Sequence, residues 1–156
     1  MPELTDPIDM RGWQRLAADT TASGRVEETD VARLADIGVR HVINLALDTH
    51  PDALADEAAL LAAQGIAYTH IPVPFDAPGE AHFAAFQSAL EQGPRPVHVH
   101  CIMNWRVSAF FYRHNRDSLE MPEPEARALM EVHWSPETSD YPGAGAWAEF
   151  IAAKGR

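Results

Sequence analysis

Three short apolar runs, each separated from the next by a stretch of helical pattern, constrain the fold of this chain most strongly. The runs cover residues 39–47, 66–73 and 96–101 and are rich in valine and isoleucine. Runs of this length and type predict buried strands. The segments between them, residues 52–65 and 81–93, are rich in alanine and end in glycine, which predicts helices. This alternation predicts an α/β fold with a mainly parallel central sheet flanked by helices.

The rest of the chain adds helices without a second unit. Residues 22–25 (ASGR) predict a turn, and residues 30–38 a helix that ends at Gly38. The last forty residues predict helices with proline-rich breaks, and residues 135–147 a connector between them rather than a border of a pocket. We find no repeat, linker or low-complexity tract, so we expect one domain over residues 1–156.

Charge and hydropathy exclude some partners. The formal net charge of −11 disfavours binding to nucleic acid or to an anionic membrane surface. No apolar run approaches the length of a membrane span. The N-terminal stretch MPELTDPIDMRGW lacks the basic start and apolar core of a secretory signal, so we expect a cytoplasmic protein.

Cysteine and histidine usage bears on metal sites. A single cysteine allows neither an internal disulfide nor a thiolate metal cage. The eight histidines include His70, His98 and His100 on neighbouring predicted strands, but no close helical histidine pair accompanies them. We therefore expect no metal and no cofactor.

The stretch VHVHCIMNWRVSAFFYR, residues 97–113, concentrates the chemistry. Cys101 ends the third predicted strand, and ligands of parallel sheets bind at the carboxyl ends of strands. A helix follows at once, so its N–H groups and positive end would face the sulfur, and Arg106 adds a full charge. Both effects stabilise the thiolate. Such a thiolate can attack phosphorus or carry a persulfide.

This stretch resembles the signature loop of the protein tyrosine and dual-specificity phosphatases. The match consists of the His-Cys pair at 100–101, an arginine and then a small hydroxyl residue. Residues 22–47 resemble the opening strand–helix–strand of compact dual-specificity phosphatases, and residues 65–78 the segment that carries their mobile acid. The resemblance implies a dual-specificity-phosphatase-like fold over most of the chain.

The resemblance also implies roles for individual residues. Cys101 would attack phosphorus, and Arg106 would hold two equatorial oxygens. His100 would fix the loop and tune the cysteine, and Ser108 would donate a hydrogen bond to the thiolate as the intermediate breaks down. Asp76 would protonate the leaving oxygen and later activate water.

The loop departs from the family pattern in length. The family has five residues between cysteine and arginine, whereas this chain has four, which we expect to line the substrate site: Ile102, Met103, Asn104 and Trp105. Arg106 must therefore reach the phosphate by an altered path. Asn104 replaces the usual glycine, and asparagine tolerates left-handed backbone. Trp105 either walls the pocket or packs into the core.

Other polar residues leave alternatives open. Asp76 also fits a plain turn, and Asp48 and Glu80 are alternative acids. Phe110, Phe111 and Tyr112 are expected to pack on the sheet, with Arg113 and Arg116 as surface charges.

Three functions compete. The leading one is a phosphomonoesterase that acts on a phosphorylated protein or a small phosphate ester through a cysteinyl-phosphate. The short loop also allows a rhodanese-like sulfurtransferase or persulfide carrier. A noncatalytic phosphate-binding module on the same scaffold is the third.

Overall fold

The structure, a computed structural model, describes residues 5–154. The first four residues, part of the stretch in which we expect no secretory signal, lie outside the described residues. The strands are β1 Gln14–Ala17, β2 Thr20–Ser23, β3 His41–Asn44, β4 Ala67–His70 and β5 Val97–His100. The helices are α1 Glu28–Asp36, α2 Glu57–Ala63, α3 Glu80–Gln92, α4 Trp105–Arg113, a π-helical turn His114–Ser118, α5 Glu123–Glu131 and α6 Ala144–Ala152.

The five strands form one sheet in the order β1-β2-β5-β3-β4. β5 is paired in parallel with β2 on one edge and with β3 on the other, and β3 is paired in parallel with β4. Only β1 runs antiparallel, as the partner of β2. The predicted α/β fold with a mainly parallel sheet is confirmed, and β5 lies at its centre.

The N-terminal hairpin corrects one prediction. Ala22 and Ser23, predicted to begin a turn, end the buried strand β2. The prediction was wrong because this strand is polar, with threonine and serine in place of valine and isoleucine. Its hydroxyls are satisfied inside the protein: Thr21 Oγ1 and Ser23 Oγ each lie 2.8 Å from a ring nitrogen of His98. Hydrogen-bonded hydroxyls can be buried at little cost.

Two apolar cores cover the two faces of the sheet. The larger joins β5 to α3, α4 and α6 through the aromatic rings of Phe83, Phe86, Phe110 and Trp147. The smaller joins β3 to α1 and α2. Phe110, Phe111 and Tyr112 are buried, as expected. Throughout residues 5–154, each helix is too short or too polar to cross a bilayer.

Arg113, at the end of α4, and Arg116, in the π-helical turn that follows, are not the surface charges that we expected. Arg113 is fully buried, donates to Glu80 at 2.6 and 3.0 Å, and lies over the rings of Phe83 and Phe150. Arg116 donates to Asp117 and to backbone carbonyl oxygens near the end of α6. Arg113 is thus buried and Arg116 is partly buried, and the fold supplies both cations with acceptors.

The buried ring of His98 makes stability depend on pH. Burial, and then the neighbouring His100, hold the pKa of His98 well below its usual value. The unfolded chain accepts a proton here below about pH 6.5, whereas the folded protein does not. Stability is therefore highest above that pH and falls as pH decreases.

We expect the free energy of unfolding to be about 2 kcal/mol lower at pH 5 than at pH 7 through this ring alone. Burial lowers the pKa of His41, His114 and His133 as well, which adds to the slope. Urea unfolding at both pH values measures the difference. His98→Gln should flatten the dependence, and an equal slope in both proteins would contradict this account.

Candidate active site

The loop after β5 leads directly into α4. Cys101 follows the last strand residue, and the helix begins at Trp105. Asn104, at the helix N-cap, has a φ of +67° and is fully buried. Its side-chain Nδ2 donates to the carbonyl oxygen of Gly12 at 2.7 Å. The asparagine thus adopts the left-handed backbone for which the family uses glycine, and it ties the loop to the N-terminal segment.

Backbone hydrogen bonds join this loop to an N-terminal segment and join that segment to a second one. The backbone N–H of Arg25 donates to the carbonyl oxygen of Ile102 at 2.8 Å, and the N–H of Gly24 donates to that of Arg11. A Cβ on Gly24 would lie 2.4 Å from the Ile102 carbonyl oxygen. A glycine is therefore required at position 24 for the two backbones to approach this closely.

The loop presents N–H groups that the protein itself does not use. Within residues 5–154, no acceptor receives a hydrogen bond from the backbone N–H groups of residues 102–107. The first N–H groups of any helix lack intrahelical partners, and these lie at the start of α4. The arrangement suits an anion beside Cys101.

Arg106 is a buried cation without a counter-ion. Its exposed fraction is 6%, its Nε has no hydrogen-bond partner, and no carboxylate among the described residues pairs with it. Its guanidinium carbon lies 5.5 Å from the centre of the Phe75 ring, which supplies only a weak attraction. A buried cation is costly without an anion, so this side chain is prepared to receive one.

A cavity of about 170 Å³ joins these groups. It is lined by five of the predicted site residues together with three that were not predicted: Cys101, Ile102, Met103, Trp105 and Arg106, and His50, Phe75 and Tyr141. Trp105 both walls the cavity and packs, because its ring stacks on Trp134 with centroids 4.8 Å apart. The two alternatives for this residue hold at once.

Tyr141 corrects the prediction that residues 135–147 form a plain connector. Its ring meets Phe75 and Trp105 edge to face, with centroids 5.5 and 5.2 Å apart. Gly143, at a φ of +96°, brings the backbone against the Phe75 ring, and Trp147 Nε1 donates to the Phe75 carbonyl oxygen at 2.5 Å. These contacts pull the segment onto the cavity.

Several predicted residues lie outside the cavity lining. Asn104, predicted to line the substrate site, instead packs behind the loop, where its side chain is hydrogen-bonded to Gly12. Asp76 is exposed in the turn directly after Phe75, and Asp48 is exposed after β3. Glu80 is paired with Arg113. Ser108 is buried one turn into α4, and its Oγ donates to the carbonyl oxygen of Trp105 at 3.0 Å.

His100 lies behind Cys101 and contacts a residue that the sequence did not single out. Its Nε2 is 2.6 Å from a carboxylate oxygen of Glu57, and its Nδ1 is 3.3 Å from the carbonyl oxygen of Cys101. Glu57 looked like an ordinary helix residue in an alanine-rich segment. Nothing in the local pattern indicated that it is buried.

His70 and His98, which were considered as metal ligands, make hydrogen-bond contacts within the protein instead. Both ring nitrogens of His98 contact hydroxyls of β2, and His70 Nε2 lies 2.6 Å from the carbonyl oxygen of Ala46. Among residues 5–154, no group of three or more histidine, cysteine or acidic side chains is arranged to hold a metal ion.

Known structures share this fold. A candidate phosphatase (DUF442) from Shewanella putrefaciens CN-32 matches with a TM-score of 0.79 and 29% identity, over 94% of this chain and 95% of its own. TpbA from P. aeruginosa, in complex with pTyr, matches with a TM-score of 0.66 and 18% identity, over 92% and 84%. PTPMT1, in complex with PI(5)P, matches with a TM-score of 0.67 and 16% identity, over 90% and 94%.

The fold is thus that of phosphatases of the tyrosine and dual-specificity type, as the sequence predicted. The chain belongs to the family of the phosphatase-like domain of beta-lactamase hydrolase-like proteins, whose model matches residues 12–112. No curated protein matches the chain.

The contact between Gly24 and Ile102 gives a direct test of how the loop is held. Gly24→Ala should cost about 1–3 kcal/mol of stability, because the new methyl group displaces the loop backbone. It should also weaken vanadate binding. Gly145→Ala is the matched control, since a Cβ there meets no atom within 4 Å, and it should be neutral or slightly stabilising. Urea unfolding and vanadate titration of both variants measure these effects; equal behaviour would show that the contact does not matter.

Proposed function

We propose that this phosphatase hydrolyses phosphomonoesters through a cysteinyl-phosphate on Cys101. The observation that supports this most directly is Arg106, a buried and unpaired cation in the same cavity as the sulfur. The unused N–H groups of residues 102–107 lie on the same loop. A phosphoryl group there would receive both a guanidinium and a set of backbone donors.

The first step forms the covalent intermediate. The Cys101 thiolate attacks phosphorus, the bond from phosphorus to the ester oxygen breaks, and that oxygen takes a proton from Asp76. Asp76 follows Phe75, a cavity residue, so a small movement of this turn would bring its carboxyl to the cavity mouth. Arg106 and the loop N–H groups hold the equatorial oxygens as charge develops.

The second step releases phosphate. Water attacks phosphorus, Asp76 accepts its proton, and the bond from sulfur to phosphorus breaks, which returns the thiolate. Ser108 would donate a hydrogen bond from its hydroxyl to the departing sulfur by rotating away from the Trp105 carbonyl oxygen, which it contacts at 3.0 Å. Neither step requires a metal.

The cavity walls favour an aromatic or otherwise flat group next to the phosphate. Phe75, Trp105 and Tyr141 provide three aromatic rings around a space of about 170 Å³. Relatives of the same fold have been solved with pTyr and with PI(5)P, so phosphate esters of both protein and small-molecule type are reasonable substrates. We propose a phosphorylated protein or a small phosphate ester.

Replacement of the two central residues tests the mechanism. Cys101→Ser should abolish hydrolysis of an aryl phosphate, because the hydroxyl is far less ionised than the thiol. Arg106→Lys should lower kcat/KM about 100-fold, since lysine cannot form the two-pronged contact. Arg40→Lys, at an exposed site, is the control and should retain full activity. Turnover that survives Cys101→Ser would rule out the cysteinyl-phosphate.

Leaving-group dependence tests the role of Asp76. Asp76→Asn should lower kcat about 100-fold for phenyl phosphate but much less for p-nitrophenyl phosphate, whose leaving oxygen needs little protonation. Steady-state kinetics with both esters measure the ratio. A larger loss in Asp48→Asn than in Asp76→Asn would transfer the role to Asp48.

The four-residue loop keeps one other function open, that of a persulfide carrier. In that reaction the thiolate attacks the outer sulfur of thiosulfate, a sulfur–sulfur bond forms on Cys101, and sulfite leaves. Mass spectrometry after exposure to thiosulfate distinguishes this chemistry, because the persulfide adds one sulfur atom to the single cysteine. An unchanged mass together with aryl phosphate hydrolysis selects the phosphatase.

A further inference from the structure

His100 ends β5, and each of its ring nitrogens faces an acceptor. Nε2 lies 2.6 Å from Oε2 of Glu57, and Nδ1 lies 3.3 Å from the carbonyl oxygen of Cys101. A neutral imidazole carries one N–H group, whereas an imidazolium carries two. Only the imidazolium satisfies both contacts, because the neutral ring would leave one acceptor facing a lone pair.

The carboxylate that faces this ring is itself fixed. The side chains of His100 and Glu57 are only 4% and 5% exposed, so neither charge is stabilised by water. The second oxygen of Glu57 accepts from Nδ2 of Asn44 at 3.3 Å, and that nitrogen also contacts the Tyr68 hydroxyl at 3.2 Å. The backbone N–H of Ala46 donates to the Asn44 oxygen at 2.9 Å. A buried ion pair needs such additional hydrogen bonds to be tolerated.

Two titratable groups near this pair have pKa values that differ from their usual ones. Burial, together with the negative charges of Glu57 and Asp48, raises the pKa of Tyr68 to about 12. Burial and then His100 hold the pKa of His98, whose ring stacks on that of His100, well below its usual value. Within the part of the chain that the structure describes, the titratable side chains in contact with the His100 ring are Glu57 on α2 and His98 on β5, and Tyr68 on β4 is linked to Glu57 through Asn44.

Glu57 is distant from His100 in the sequence, and the fold brings the two side chains together. Asp56 precedes it with a φ of +58°, an unfavourable conformation for a residue other than glycine. Glu57 is then the first residue of α2 and is buried, although acidic residues at helix starts usually face water. The start of α2 thus combines a left-handed residue with a buried acidic side chain.

We propose that Glu57 is a positioning residue that holds His100 as an imidazolium against Cys101 and so keeps the nucleophile in its thiolate form. The inference rests on the proposed role of Cys101. The pair is neutral overall, but its positive end contacts the backbone carbonyl oxygen of Cys101, and its negative end lies on the other side of the ring. Removal of the carboxylate charge lets the ring lose a proton, and the local field at the sulfur then weakens.

The rate at which iodoacetamide alkylates Cys101 measures the fraction of this cysteine that is thiolate, and the assay requires no substrate. In Glu57→Gln, which keeps the shape of the side chain, we expect alkylation at pH 7 to slow about tenfold and its pH profile to move up by about one unit. With an aryl phosphate, kcat should fall while KM changes little, because Arg106 and the loop N–H groups still bind the phosphate. In a His100→Gln background, the same change at Glu57 should have no further effect on the profile.

Glu123→Gln is the matched control, since Glu123 also accepts a 2.6 Å hydrogen bond, from Tyr112, but has no link to Cys101. Its alkylation profile should coincide with that of the wild type. A shifted profile in Glu57→Gln supports the proposal even if the wild type hydrolyses no phosphate ester. A profile that coincides with the wild type overturns it even if the wild type is an active phosphatase.

The ring itself can be observed in the wild-type protein, so the proposal does not depend on the variant folding. Nitrogen-15 chemical shifts of the His100 ring at pH 7, assigned by comparison with His100→Gln, should show both nitrogens protonated. A neutral ring at that pH would overturn the proposal.

Discussion

Hydrogen bonding of β5 along both of its edges fixes the point at which Cys101 leaves the sheet. β2 and β3 pair in parallel with all four residues of β5, so the register of this strand is fixed from both sides. The cysteine, the loop and the start of α4 therefore emerge from the most constrained position in the sheet. Preorganisation of this kind lets a loop keep N–H groups and a cation unpaired before a ligand arrives.

Arg106 and Arg113, the two buried arginines of α4, have different roles at the two ends of the helix. Arg113 is enclosed by two aromatic rings and satisfied by Glu80, so it contributes to the architecture. Arg106, seven residues earlier, has one aromatic neighbour and no carboxylate within the described residues. Arg106 and Arg113 differ in their partners and not in their burial, since both side chains are almost inaccessible to solvent.

Patterns local in sequence predicted the chemistry well, and contacts distant in sequence explain what they missed. The order of strands and helices, and the cysteine and arginine at the end of a strand, follow from hydrophobic period and spacing. The strand β2 was missed because its buried hydroxyls depend on His98, about 75 residues away. Glu57 and Tyr141 meet the site only through the fold, and no local pattern distinguishes them from a helix residue and a loop residue. Whether Asp76 acts as the acid stays a prediction, because it depends on movement of a turn.

The contacts of the C-terminal segment with Phe75 place part of the cavity wall in a different stretch of the chain from the loop after β5. The family model ends at residue 112, whereas Trp134, Tyr141 and Trp147, which hold or face Phe75, all lie beyond it. Residues 12–112 thus include the loop after β5 together with Phe75 and Trp105, and the later segment supplies the rings that hold Phe75 in place and complete the wall. A substitution in this later segment would therefore reshape the cavity without touching the loop that follows β5.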